Sequence, residues 1–304
     1  MTSTILAIVA LLGLILGSFY TVCIYRIPFG RPKGLDALKD DEESDEESTP
    51  VVPVASATLT VNSPPRSFCP TCNATLSWYH NIPLFSWFAL GGRCAFCKSE
   101  ISWRYPLVEL LSALAAVFSV LQFGFTISAF VIYALCAALI VISFIDIDYY
   151  IIPDVISIPG TAIGITLGII QEFYPIFTPP LTSGVLDTSL GLLAGAGFLW
   201  LIAQAYIIFR NMHGLGFGDV KLLALVGAVL GPYGALYTIF MGSILGAFFG
   251  VGMILLRGRA HQIPIQFGPF LSMGTALYLF FGYEPLLQVR NEISFLILWL
   301  IQNT

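Results

Sequence analysis

The sequence predicts an all-α polytopic membrane protein of about eight transmembrane helices, carrying one small extramembrane module between helices 1 and 2. Three observations point there. Of 304 residues, 57% are apolar and only 10% charged, and mean hydropathy is +0.86, whereas soluble domains are about half apolar and a quarter charged. The apolar residues come in unbroken runs: Leu107–Phe123 holds a single charge, Glu109, and Phe125–Phe144 holds none. A helical crossing needs roughly 20 such residues, whereas a barrel strand alternates polar and apolar. Finally, eight of the thirteen Lys and Arg crowd into one loop, Arg26–Arg104, which also holds four of the six cysteines.

Eight crossings are expected near residues 4–25, 106–123, 125–145, 155–173, 188–209, 219–231, 234–256 and 266–283. The first begins without a positive n-region or an A-x-A site, so it reads as a retained crossing rather than a removed signal peptide. The second and third join tightly around Gly124, and the sixth is short. The tail Asn291–Thr304 is apolar but too short to cross comfortably, and is expected at the interface or against the bundle. Arg210, Lys221, Arg257 and Arg259 fall on the same side as the Arg26–Arg104 loop, and only Arg290 on the other. The positive-inside rule makes that side cytoplasmic.

The net charge of −5 is local in origin. Residues Asp36–Glu47 hold eight carboxylates and one lysine, a run that reads as a solvated loop. No basic patch interleaved with aromatics exists, so nucleic acid is not an expected partner. The domain layout is a first helix over 1–25, a cytoplasmic linker with the acidic run over 26–65, a four-cysteine module over 66–104, a transmembrane catalytic region over 105–290 and a short tail over 291–304.

The module reads Cys-Pro-Thr-Cys at 69–72 and Cys-Ala-Phe-Cys at 94–97. Some 40 residues cannot build a sufficient core alone, and a cytoplasmic loop is too reducing for disulfides. Two C-x2-C hooks can instead close a tetrahedral zinc site from Cys69, Cys72, Cys94 and Cys97, with a redox pair, an iron site or an empty dithiol site as the lesser readings. Such a site is saturated, hence structural. His80, between the hooks, reads as an ordinary surface histidine. Cys23 and Cys136 lie in apolar runs as small buried hydrophobes.

Ionisable residues at membrane depth are expensive and tend to be functional. The candidates are Glu109, Asp146, Asp148, Asp154 and Asp219. Asp146 follows the third apolar run, and Asp219 closes Gly214-Leu215-Gly216-Phe217-Gly218-Asp219 before the sixth. The layout puts both at the cytoplasmic face, where a carboxylate pair can do aspartic proteolysis: one ionised to activate water, one protonated to polarise a carbonyl. Gly216 and Gly218 would let a substrate backbone approach closely. As the plainer alternative, Asp219 caps its helix. Asp148 is about 200° from Asp146 on a helix, so both cannot face one site. Asp154, after Pro153, reads as a helix cap. Glu109 either pairs with a loop cation or lines the site. Paired acids also serve proton-coupled transporters, but the internal repeats common there are not evident. A zinc-braced scaffold without catalysis is a third reading.

In order, Gly17-Ser18-Phe19, Ile24-Tyr25-Arg26-Ile27-Pro28, the two hooks with Asn81-Ile82-Pro83-Leu84 between them, Arg104-Tyr105-Pro106-Leu107-Val108-Glu109, the Asp146 segment and Gly216-Phe217-Gly218-Asp219-Val220-Lys221 resemble the bacterial prepilin peptidase (type IV leader peptidase) family. The resemblance implies a Gly-x-Gly-Asp aspartic protease with Asp146 and Asp219 as the catalytic pair. It further implies cleavage of leaders from type IV prepilins or type II secretion pseudopilins at the cytoplasmic face of the bacterial inner membrane. It also implies N-methylation of the new terminus with S-adenosylmethionine. No Gly-rich donor-binding motif is recognisable. Tyr20-Thr21-Val22 stands where members commonly have Leu-Asn-Val, and the acidic run is outside the shared motifs.

Overall fold

A computed structural model describes residues 3–29, 31, 61, 66–177, 181–210, 216–257, 265–283, 285 and 288. The acidic run and the tail Asn291–Thr304 lie outside the described residues. The chain divides into two compact units, Met1–Pro153 and Asp154–Thr304.

In the first unit, α1 (Ser3–Arg26), α3 (Arg104–Phe123) and α4 (Ile127–Tyr149) are long helices, and the module between α1 and α3 contains one short helix, α2 (Phe85–Ala89). On α1, Val9, Gly13 and Gly17 are buried at a spacing of four, while Ile8, Leu11, Leu12 and Ile15 are exposed. Four residues is one helical turn, so the buried positions form a stripe of mostly small residues. In lipid, such a stripe replaces the hydrophobic effect by close backbone contact. A Cβ on Gly13 would lie 2.7 Å from the Ala113 Cα, and one on Gly17 2.7 Å from the Glu109 Cα. The Ser112 hydroxyl donates to the Gly13 carbonyl at 2.7 Å and lies 2.9 Å from the Tyr133 hydroxyl. Tyr20 reaches the same Tyr133 at 3.2 Å. Three helices thus share one buried polar knot. Gly17→Leu should wedge α1 from α3, costing about 1–3 kcal/mol as an overpacked contact. It should lower the melting temperature in detergent, whereas Leu12→Ile on the exposed face should not. Equal melting of the two variants would show that the stripe does not hold the pair.

The tight join expected at Gly124 is present. Gly124 caps α3 at φ 67°, and the Thr126 hydroxyl accepts the Ala129 N–H at the start of α4. At its other end α4 stops because Tyr150 turns left-handed (φ 58°) and returns its N–H to the Asp146 carbonyl.

In the second unit, α5 (Asp154–Phe173) is followed by α6 (Val185–Leu192), which passes through a π-turn at Leu193–Gly197 into α7 (Phe198–Arg210). Next come α8 (Phe217–Arg257) and α9 (Gly268–Leu277), the latter continuing as a π-turn to Gly282. The sixth and seventh expected crossings are two helices within α8 that meet directly at a kink, Gly231 (φ 70°) ahead of Pro232, where the sixth was expected to end. Proline lacks the N–H that would continue the ladder, and only glycine takes that φ without strain. Small residues again set the packing: a Cβ on Gly164 would lie 2.8 Å from Ala228. Buried Thr238 and Thr275 share a 3.1 Å hydrogen bond between α8 and α9. Six helices among the described residues are long and apolar enough to cross a bilayer. The described residues contain no strand, only two isolated bridges in the module.

Candidate active site

Asp146 sits on the last turn of α4 and is 6% exposed. The helix continues through Tyr149, so Asp148 turns to another face, where Arg104 at the start of α3 pairs with its carboxylate. Of the two aspartates in this segment, Asp148 is engaged in an ion pair with Arg104 and Asp146 is the more buried.

Asp219 is the third residue of α8, half-buried. The helix starts at Phe217, so Asp219 lies in the first turn, beyond the cap position, where the helix dipole favours a negative charge. Its N–H returns to the Gly216 carbonyl at 3.1 Å, and its carboxylate lies over Gly216, 3.6 Å from where a Cβ would be. Gly218 is inside that same first turn. Asp154, the first residue of α5, accepts from the Lys221 ammonium at 2.6 Å.

Glu109 is buried and accepts the Leu84 N–H at 2.8 Å. Leu84 sits at φ 60°, a strained conformation for a branched residue, and this hydrogen bond helps fix it. Glu109 thereby ties the module to α3 through a backbone N–H rather than through a cation. Arg26, the last residue of α1, donates to the Val61 carbonyl at 3.0 Å and the Arg66 carbonyl at 3.3 Å, and stacks over Phe68.

The four module cysteines meet. Their sulfurs all lie within 4.8 Å of one another, with Cys69 and Cys97 3.8 Å apart. A tetrahedral ion with metal–sulfur bonds of about 2.3 Å needs sulfurs about 3.8 Å apart, so the set can hold a metal ion. Each hook is the same small device. Asn73 and Lys98, directly after the second cysteine of each pair, are left-handed. Each returns its N–H to the first cysteine's carbonyl, at 2.8 and 3.1 Å. The bridges Phe68–Thr75 and Arg93–Glu100 close the two turns. The hooks are therefore structural copies 25 positions apart, a repeat hidden in sequence because their side chains differ. Burial raises the Cys69 thiol, but the Cys72 and Thr71 N–H groups outweigh it and bring the pKa down to about 6. Cys72 is pushed up to about 11, despite the Ala74 N–H, by desolvation and the neighbouring sulfurs.

His80 departs from the surface role expected of it. Its ring is half-buried against Tyr79 and Phe96, and its Nδ1 is buried without a hydrogen-bond partner.

The fold and these groups define a class: a polytopic helical membrane protein with carboxylates at helix ends and a four-thiol module. Comparison with known proteins gives the rest. Residues 11–123 match the bacterial peptidase A24 N-terminal domain, and residues 133–251 match the type IV leader peptidase family. The chain is 34% identical over 282 residues to a prepilin leader peptidase/N-methyltransferase of Aeromonas hydrophila, covering 91% of this chain and 90% of the relative. A protein of the same name from Pseudomonas aeruginosa is 35% identical over 272 residues, covering 90% and 89%. One from Burkholderia pseudomallei is 34% identical over 279 residues, covering 91% and 85%. No solved structure matches. The chain belongs to the type IV leader peptidase family, as a bifunctional peptidase and methyltransferase. The transport reading gains no support.

Proposed function

We propose that Asp146 and Asp219 are the catalytic pair that removes the leader from type IV prepilins or type II secretion pseudopilins at the cytoplasmic face of the inner membrane. The observation that carries this is the contrast within one helix end: Asp148 is paired with Arg104, while Asp146 is held buried. One carboxylate, ionised, takes a proton from the attacking water. The other, protonated, donates to the scissile carbonyl oxygen as the tetrahedral intermediate forms. The proton taken from water then passes to the leaving amine. Gly216, whose missing side chain leaves space beside the Asp219 carboxylate, gives the substrate backbone its approach. The substrate, an apolar helix with a cationic leader, reaches the site by diffusing in the bilayer.

The ion at Cys69, Cys72, Cys94 and Cys97 is zinc, which a closed set of four thiolates suits, and its role is structural. S-adenosylmethionine is the methyl donor for the new N-terminus. Mass spectrometry of a prepilin incubated with the purified chain should report leader loss and a gain of about 14 Da, one added CH2, together. Brief chelation should leave leader removal intact while the module stays folded. Loss of proteolysis with the fold retained would replace the carboxylate pair by metal-assisted hydrolysis. Cleavage that persists in Asp146→Asn but not in Asp148→Asn would move the site to the other aspartate.

A further inference from the structure

The outer face of the module is unlike a surface built for water. Residues 67–92 contain no Asp, Glu, Lys or Arg, whereas about one residue in four is charged in a soluble domain. Within that stretch Trp78, Phe85 and Phe88 are 80%, 66% and 69% exposed. Phe85 and Phe88 are three apart on α2, so they share a face. Trp87 turns the other way and donates its ring N–H to the Ile101 carbonyl at 3.1 Å, which fixes the short helix with the phenylalanines outward. The level of α2 is set by its neighbours. The Leu84 N–H, one residue before α2, meets the Glu109 carboxylate at 2.8 Å. Glu109 is five residues into α3, about 7.5 Å along its axis. It also lies against Gly17, nine residues short of the end of α1 at Arg26, or about 13 Å by the same rise. Thus α2 begins below the ends of both helices, alongside their apolar length.

We propose that the Phe85–Phe88 face of α2 is a membrane anchor. It inserts into the bilayer leaflet on the module's side, with Trp78 at headgroup level, so that the four-cysteine module lies in the membrane surface and not above it in water. Apolar faces of interfacial segments sit about 5–10 Å into the headgroup and acyl boundary, and tryptophan is enriched at that boundary. Backbone at this depth has to satisfy its own polar groups, and this segment does. The N–H groups of Phe85, Ser86, Phe88, Leu90, Gly91 and Gly92 all go to carbonyls within residues 82–88. The Leu84 N–H goes to Glu109, and Pro83 has none. Leu110, one residue beyond Glu109, is itself exposed, so lipid is present at this level. Charge selects lipid over a peptide occupant. Over residues 66–104, Arg66, Arg93, Lys98 and Arg104 stand against one acid, Glu100. A net positive module is attracted to anionic headgroups. It repels the cationic leader of a substrate, or the same face of a second copy.

The test places the photo-reactive p-benzoylphenylalanine at Phe85 or at Phe88 of the full chain, in nanodiscs of phosphatidylethanolamine and phosphatidylglycerol. Irradiation and mass spectrometry should give lipid adducts at both positions, in yield comparable to the same probe at Leu12 on the exposed face of α1. Adducts to peptide instead, from a second copy or an added prepilin, would overturn the anchor. So would a lack of lipid adducts at these positions where the Leu12 probe forms them. Hydroxyl-radical footprinting of the unmodified chain in the same discs requires no variant to fold. Phe85 and Phe88 should be oxidised no faster than Phe68, which is half-buried under the Arg26 guanidinium. Oxidation of both well above the Phe68 rate, in keeping with water around their exposed rings, would also overturn it.

Discussion

Asp146→Asn and Asp219→Asn should each abolish leader removal, by on the order of a thousandfold or more, the scale on which members of a catalytic unit fail singly. Asparagine keeps the shape of the side chain and loses its proton chemistry, so neither variant should leave the membrane or unfold. The double variant should be scarcely worse than either single one, because two groups that act as a unit do not add. Asp148→Asn supplies the contrast. It breaks the pair with Arg104, so it should cost stability where the module joins α4 while leaving measurable cleavage. The readout is the fraction of prepilin processed over time, with melting temperature beside it. Full activity in either of the first two variants removes that residue from the mechanism.

The second large effect is expected at the cysteines. Cys69→Ser with Cys72→Ser should release the metal, as measured by elemental analysis, and reduce methylation strongly with a smaller effect on cleavage. The metal's binding free energy is folding free energy for a piece this small, whereas Asp146 and Asp219 are carried by membrane helices. Acid should mimic the substitution. Thiolates are the ligands, and protons compete with the metal for them. Without metal, Cys69, at about 6, is already a thiolate at neutral pH, while Cys72, at about 11, still holds its proton. Metal uptake therefore releases protons, and affinity falls as pH falls. A purified chain free of zinc, or normal methylation in the double serine variant, would sink these expectations.

Hydropathy made the long helices legible because a crossing is a composition before it is a contact. The break expected between the sixth and seventh crossings falls at Gly231 ahead of Pro232, a pair that ends one helix and starts the next. The four cysteines were legible because ligand spacing is local. His80 was not, since its burial comes from packing against Tyr79 and Phe96, which no periodicity marks. Glu109 was visible as a charge at membrane depth, but one of its partners is the backbone of Leu84, 25 residues earlier, and backbone donors leave no trace in residue type. Likewise, the 200° between Asp146 and Asp148 follows from helix geometry, while the pairing of Asp148 with Arg104, 44 positions away, leaves no mark in the sequence.

The grip of Arg26 on the carbonyls of Val61 and Arg66 carries a consequence for the sequence between. Chain that leaves α1 at residue 26 is brought back to the same guanidinium 35 and 40 positions later. Whatever lies between is a detour, tied off at its neck. The cost of closing a detour rises only slowly with its length, by about 0.6 kcal/mol per doubling. The acidic stretch can thus be lengthened, shortened or rewritten by evolution, or exchanged for a tag or a fluorescent domain, with the cysteine module still seated on the same two helices. In an enzyme whose helices are constrained by lipid on one side and by each other on the other, this knot marks out the place where new sequence enters at little expense.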